Sequence, residues 1–325
     1  MLRQVNASTA QGAIRQISSG ILSVAVIMTT GCEPSAAPDD SAAARAELIR
    51  HEVDSDGHPM AVWEKSPDEP TGVVLLLHGR TWSTLPDFDL QVPGEDLSLM
   101  DGLVKHGYVT YGLDMRGYGE TPRDETGWLD PDRAARDLVS VLEWVGDRHP
   151  GLGRPTLFGW SLGSMVSHLT VQRRPELVAG VALFGYPIFP GREIPVQEDP
   201  AEPAREPTTA EAAASDFIAP NAISSSALEA YVVAALAADP VRVDWRRAHL
   251  WNELDPSKVT VRTLLLQGEL DPFAPTEAQA VLFSQLGVAD REWVTIPGGD
   301  HAAHLETPRA FFIDALVGFI ERPLR

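Results

Sequence analysis

At 325 residues and 44% hydrophobic, the chain is long and apolar enough for one large α/β domain or two small ones with real cores. Its formal net charge of -20 argues against a nucleic-acid partner and against an electrostatic grip on anionic lipid headgroups. A single cysteine excludes an internal disulfide and a cysteine-based metal site; no other cluster has metal-ligand spacing, so neither metal nor cofactor is expected.

Residues 1–31 contain Arg3 and Arg15 and no Asp or Glu, and residues 21–28 form an apolar core too short to span a bilayer as a mature helix. The segment ends at Thr29-Thr30-Gly31-Cys32. This resembles a bacterial lipoprotein signal, in which a small residue precedes the one cysteine that becomes lipidated; Thr29 departs from the leucine that the pattern prefers. The resemblance implies export, lipidation at Cys32 and anchoring on a membrane surface facing an extracytoplasmic compartment. Residues 32–46, rich in Ala, Pro, Ser and Asp, read as a solvated tether.

From residue 47 onward the pattern is that of a folded domain. Residues 47–53 and 60–65 alternate around Asp56-Gly57 and predict a hairpin. Residues 73–77, Val-Val-Leu-Leu-Leu, predict a strand buried on both faces, running into His78-Gly79-Arg80-Thr81-Trp82. A helix is expected over 95–106 and a strand over 108–113. Asp130-Pro131-Asp132 opens a further helix, with a capping acid, a proline in the first turn and acids at the positive end of the dipole. Strands over 177–184, 261–266 and 291–296 alternate with helices near 277–286 and around Phe311, Phe312, Ala315, Leu316 and Phe319. Residues 187–257 interrupt that alternation. Within them, 194–216 carry four prolines and six acids and read as a mobile excursion, and 226–238 and 245–254 read as helices of an inserted cap. Strands alternating with helices imply a mostly parallel sheet covered on both faces, with sites at the C-terminal strand ends.

The chemistry-bearing stretch is Gly159-Trp160-Ser161-Leu162-Gly163. A short apolar run precedes it and a helical pattern follows, so Ser161 falls on a sharp strand-to-helix turn that lifts its hydroxyl into a cleft beside a helix N-terminus. A serine hydroxyl is a poor nucleophile on its own and needs a base, a carboxylate to orient that base, and backbone donors for the oxyanion.

Five groups taken together resemble the α/β-hydrolase family: His78-Gly79, Asp114-x-Arg116-Gly117-x-Gly119, Gly159-x-Ser161-x-Gly163, Gly268-x-x-Asp271-Pro272, and Gly299-Asp300-His301-x-x-His304-Leu305-Glu306. The likeness spans residues 47–323, and the order nucleophile, acid, histidine also matches. It implies an α/β fold with a mostly parallel eight-stranded sheet, helices on both faces, and a helical cap between strands 6 and 7. Ser161 is then the nucleophile. His301, on a loop after a strand, is the base, with His304 its structural neighbour. His78 belongs to a strand-end hydrogen-bond network, and His168 to packing or surface. Asp271, just past a strand and before Pro272, is the acid; the stretch Phe184-Gly185-Tyr186-Pro187, where some relatives carry it, has no carboxylate. Glu269 and Asp300 read as solvated or loop-capping, and Asp114 as the anchor of the Arg116 loop. The oxyanion hole uses the backbone N–H groups of Arg80 and Leu162. The Arg80 guanidinium meets either an anionic substrate group or a cap acid. Trp82 and Trp160 line the pocket or brace the elbow, and Tyr231 faces the cleft from the cap.

Two classes of function follow. One is a serine hydrolase cleaving a small-molecule carboxylic ester through an acyl-enzyme, with amide, peptide and carbon–carbon cleavage open on the same triad. The other is a non-catalytic binding lipoprotein that retains the fold; a missing triad member would favour it, and none is missing.

Overall fold

The computed structural model describes residues 46–323; the signal segment, Cys32 and the tether up to residue 45 lie outside the described residues. Eight strands form the main sheet: β1 (Ile49–Ser55), β2 (His58–Lys65), β3 (Gly72–Leu77), β4 (Tyr108–Leu113), β5 (Thr156–Trp160), β6 (Gly180–Phe184), β7 (Thr263–Gly268) and β8 (Arg291–Ile296). Their order is β1-β2-β4-β3-β5-β6-β7-β8. β2 runs antiparallel to both neighbours, and every other pair from β4 to β8 is parallel. The β1–β2 hairpin turns on Asp56 and Gly57, both at positive φ (52° and 77°), the turn geometry that matches strand twist and that Asp-Gly favours.

Successive residues of the central strands face opposite sides, and each side has its own core. Val73, Leu75 and Leu157 pack with Leu138 and Leu142 of α3 (Pro131–Arg148) and Val166 and Leu169 of α4 (Leu162–Arg173). Val74, Leu76 and Phe158 pack with Leu99 and Leu103 of α2 (Leu99–Lys105) and Phe312 and Leu316 of the last helix (Arg309–Glu321). The helix expected over 95–106 starts only at Leu99, because Ser98 caps it by accepting the Asp101 N–H at 2.9 Å. A short helix, α1 (Thr84–Phe88), precedes it and has no sequence-stretch signal of its own. Asp130 caps α3 as expected, accepting the Arg133 N–H at 2.9 Å.

The chain between β6 and β7 forms the helical cap. It carries α5 (Ala210–Ala214) and α6 (Ser225–Ala238). The second expected cap helix, over 245–254, is absent as such. Asp244–Trp245 pairs instead with Trp128–Leu129 as a two-residue parallel ladder, and only Ala248–Glu253 winds, as a 3-10 helix. Arg247, at φ 53°, separates the two pieces in a left-handed conformation that a helix cannot contain. Trp245 and Trp251 consequently join the core on the α3 side, where the Trp245 indole N–H donates to the Tyr118 hydroxyl at 2.9 Å. α6 packs Ala227, Tyr231 and Ala235 against Trp82, Leu90, Val92 and Leu305.

α4 leaves β5 at very short range. A Cβ added to Gly163 would stand 2.4 Å from the carbonyl oxygens of Leu77 and His78, and one on Gly159 would stand 2.5 Å from the Gly163 carbonyl oxygen. Backbone atoms cannot yield as side chains do, so overpacking here is severe. Gly163→Ala is expected to lower unfolding free energy in urea by about 3 kcal/mol or more; a variant within about 0.5 kcal/mol of wild type would show that the approach is not limiting.

Candidate active site

The turn between β5 and α4 holds Ser161 at φ 53°, ψ -118°, a sparsely populated region for a residue with a side chain. The conformation is fixed from both sides. The Ser161 N–H donates to the Phe184 carbonyl on neighbouring β6 at 2.8 Å, and α4 begins at Leu162. The Ser161 side chain makes no cap hydrogen bond, so its hydroxyl is free of the helix end it precedes. Leu162 is the first helical residue, and its N–H has no intrahelical acceptor.

The end of β3 lies alongside. A Cβ on Gly79 would be 3.2 Å from the Ser161 Cβ, so the backbone leading into Arg80 passes directly beside the serine. His78 secures that backbone. Its Nδ1–H donates to the Gly79 carbonyl and its Nε2 accepts the Met115 N–H, both at 2.9 Å. Burial pushes His78 down to about 4, so it stays neutral and keeps this pair of bonds. The Arg80 side chain is exposed and makes no ion pair among the described residues.

His301 sits in the loop after β8. Its Nδ1–H donates to Asp271 Oδ2 at 2.8 Å, leaving Nε2 for other partners. Asp271 is buried just past β7, and its other oxygen accepts the N–H groups of Phe273 (2.8 Å) and Ala274 (3.3 Å). Gly185, at φ 59°, passes under this pair: a Cβ there would stand 3.0 Å from His301 Cε1 and Nδ1. Gly185 follows Phe184, the acceptor for Ser161, so one strand end carries the serine on one side and the histidine on the other. Trp160 closes the circuit. Its indole N–H donates to the His301 carbonyl at 2.6 Å, and its ring lies edge-on to His304 at 4.5 Å and against Phe184. Trp160 therefore braces the histidine loop from within the core.

The other histidines and carboxylates separate by environment. His304 is fully buried, donates Nε2–H to the Asp87 carbonyl at 3.0 Å, and is pushed by burial down to about 3. His168 is bonded to the Tyr186 hydroxyl at 2.8 Å and is likewise pushed by burial, down to about 4. Glu269 is exposed and caps the loop by accepting the Gly298 N–H. Asp300, read from sequence as solvated or loop-capping, is fully buried. It accepts the Ala302 N–H with one oxygen and the Ile218 and Ala219 N–H groups of the cap with the other.

Tyr231 and Trp82 meet at a second buried cluster. The Tyr231 hydroxyl lies 3.0 Å from Asp87 Oδ1 and 3.3 Å from Asp216 Oδ2, and the Trp82 indole N–H donates to Asp216 Oδ2 at 2.8 Å. Burial pushes Asp87 well above the usual carboxylate range, helped by the charge of Asp216. The Tyr231 hydroxyl donates to Asp87 at the shorter distance, and the Trp82 indole N–H serves Asp216. Sequence reading did not flag Asp87 or Asp216, nor Phe273, whose ring stands edge-on to His301 at 5.0 Å. Its place two residues after Asp271 was the available signal. Among the described residues, no group of three or more His, Cys, Asp or Glu side chains could hold a metal ion.

A mostly parallel eight-stranded sheet, a serine on a strained strand-to-helix turn and a histidine–aspartate pair on the same sheet edge define an α/β-hydrolase. Residues 68–308 match the family model described as serine aminopeptidase, S33, and the chain belongs to that family of α/β serine hydrolase enzymes. Solved structures share the fold at low identity. A serine hydrolase involved in carbazole degradation (CarC enzyme) is 20% identical, with a TM-score of 0.60 over 84% of this chain and 99% of that one. E-2-(acetamidomethylene)succinate hydrolase is 20% identical, with a TM-score of 0.60 over 85% of this chain and 100% of that one. The esterase EaEST from Exiguobacterium antarcticum is 20% identical, with a TM-score of 0.56 over 84% of this chain and 100% of that one. No curated protein matches the sequence.

Asp216 generates a pH prediction. Burial raises it from 3.8 to about 6, against the lowering effects of the Trp82 hydrogen bond and the nearby His301. The folded chain thus holds this proton more tightly than the unfolded chain. The associated stability is full below pH 3.8 and is lost as pH rises through about 6. Asp216→Asn removes the titration, so between pH 4 and 6 its thermal midpoint should gain on wild type as pH rises. Parallel midpoint curves would contradict this.

Proposed function

We propose that the chain is a carboxylic-ester hydrolase working through an acyl-enzyme on Ser161, with His301 as base and Asp271 orienting it. The observation that supports this most is the 2.8 Å bond from His301 Nδ1 to a buried Asp271, one strand end away from a serine held at positive φ. In this reading the Asp271 carboxylate holds the ring and stabilises the imidazolium that forms. His301 Nε2 takes the Ser161 proton as Oγ adds to the ester carbonyl carbon. The resulting oxyanion is received by the N–H groups of Leu162 and Arg80, at a helix start and beside it. The C–O bond to the alcohol then breaks as Nε2–H returns its proton to the leaving oxygen. Water repeats the sequence on the acyl-enzyme and frees the acid and Ser161.

Ser161→Ala should abolish ester hydrolysis and fluorophosphonate labelling while the fold survives. His301→Ala should lower kcat by about 10⁴ or more. His304→Ala should act mainly on stability, because that ring is buried, neutral and tied to the Asp87 carbonyl. A labelled alanine variant at Ser161, or a His304 variant as inactive as the His301 one, would refute the assignment. A second reading, amide cleavage next to a free amino terminus, is favoured by the family's description. An aminoacyl anilide turned over faster than the matched ester would select it.

The lipoprotein-type signal leads us to propose an exported enzyme anchored through Cys32. Cys32→Ser is then expected to move the protein from the membrane to the soluble fraction. A wild-type protein that is soluble with an unmodified Cys32 would rule out the anchor.

A further inference from the structure

Nine large apolar side chains are exposed among the described residues, and three of them belong to residues that contact, by backbone or ring, consecutive positions of one loop. The Leu270 N–H donates to the Gly299 carbonyl, the Ile218 N–H donates to Asp300, and the Phe273 ring lies edge-on to His301 at 5.0 Å. Phe273 is 53% exposed and Leu270 50%, although both flank a carboxylate that is almost wholly enclosed. Scattered surface apolar residues need no explanation; three whose residues contact successive positions of the loop bearing the proposed base do.

We propose that Phe273, with Leu270 and Ile218, forms the leaving-group subsite, and that this enzyme prefers esters of apolar alcohols. The inference rests on the ester-hydrolase reading above. Its reasoning is chemical. The proton that frees the alcohol comes from His301 Nε2, so the leaving oxygen departs next to His301, and whatever that oxygen carries lies against the side chains around that ring. The acyl half stays on Ser161, under the Leu162 and Arg80 N–H groups. Phe273 is also held in place. Its N–H is bonded at 2.8 Å to the Asp271 oxygen opposite the one that holds His301, so one carboxylate sets the base and the wall beside it. A half-exposed aromatic ring in fixed register with the base offers apolar contact only to a group that arrives there with the substrate.

Acetate esters of ethanol, 1-butanol and 1-hexanol have leaving groups of nearly equal acidity and differ only in apolar length. The ratio kcat/KM covers every step through loss of the alcohol, after which all three share one acetyl-enzyme. In the wild-type chain, kcat/KM should rise about tenfold from ethyl to hexyl acetate, as expected for four methylenes partly removed from water. Phe273→Ala should bring that ratio to within about twofold of one, and Leu270→Ser should reduce it by less. The ratio between ethyl hexanoate and ethyl acetate, which varies only the acyl half, should hold in both variants. Both side chains are half-exposed, so both variants should fold, as circular dichroism will verify. A flat wild-type alcohol series overturns the subsite, and so does a Phe273→Ala variant that keeps the hexyl preference or shifts the acyl ratio instead. A wild-type chain that hydrolyses none of these esters, with no labelling at Ser161, overturns the ester-hydrolase reading as well.

Discussion

α4 lies as near to β3 and β5 as backbone atoms permit, and the geometry of the site follows from that contact. With no Cβ at Gly159 or Gly163, the helix start rests directly on the Leu77 and His78 carbonyls. A chain that leaves a strand and enters a helix within one residue must turn sharply, and Ser161 takes the turn at φ 53°. The strain has a return. The hydroxyl is left free of the helix end, the Leu162 N–H has no intrahelical acceptor, and the residues after β3 are brought alongside. Moving the helix outward by the size of one methyl group would relax the turn and disperse the three elements.

Much of this was legible in the sequence because it is written in local rules. Buried parallel strands are continuous apolar runs, so β3 falls where residues 73–77 place it; β8, a half-exposed edge strand, falls over 291–296 as expected. Glycine flanks mark close approach, and a carboxylate followed by proline after a strand marks a fixed turn. The failures have a common cause in contacts made at long range. Residues 245–254 have a helix-like apolar pattern, but Trp245 pairs with Leu129 and Arg247 breaks the run. Asp300 was read as solvated or loop-capping; it caps its loop through the Ala302 N–H, but its full burial lay beyond what sequence shows of a carboxylate. Tyr231 looked like a cleft residue, yet its apolar ring and polar tip are both spent inside the protein, on Phe217 and on Asp87 and Asp216.

The cap is attached by acids that bind N–H groups and rings. Asp239, at the end of α6, accepts the backbone N–H groups of Ser83 and Gly119, both at 2.8 Å. Asp216 holds Trp82, and Asp300 holds Ile218 and Ala219. None of these contacts needs a basic partner, which suits a chain with 46 acids and only 26 lysines and arginines. Satisfied donors offset the cost of enclosing each carboxylate, and burial raises Asp87 well above the usual carboxylate range.

The Asp300 contact also governs how the cap can move. Asp300 is the residue before His301, and the same side chain grips residues 218 and 219. If the bonds hold, any lift of that cap segment drags on the histidine backbone. If they break, a buried carboxylate loses two of its donors, a penalty of several kcal/mol. This end of the cap and the His301 loop are therefore coupled through one side chain, whereas the other end of the cap carries no such tie to residue 300.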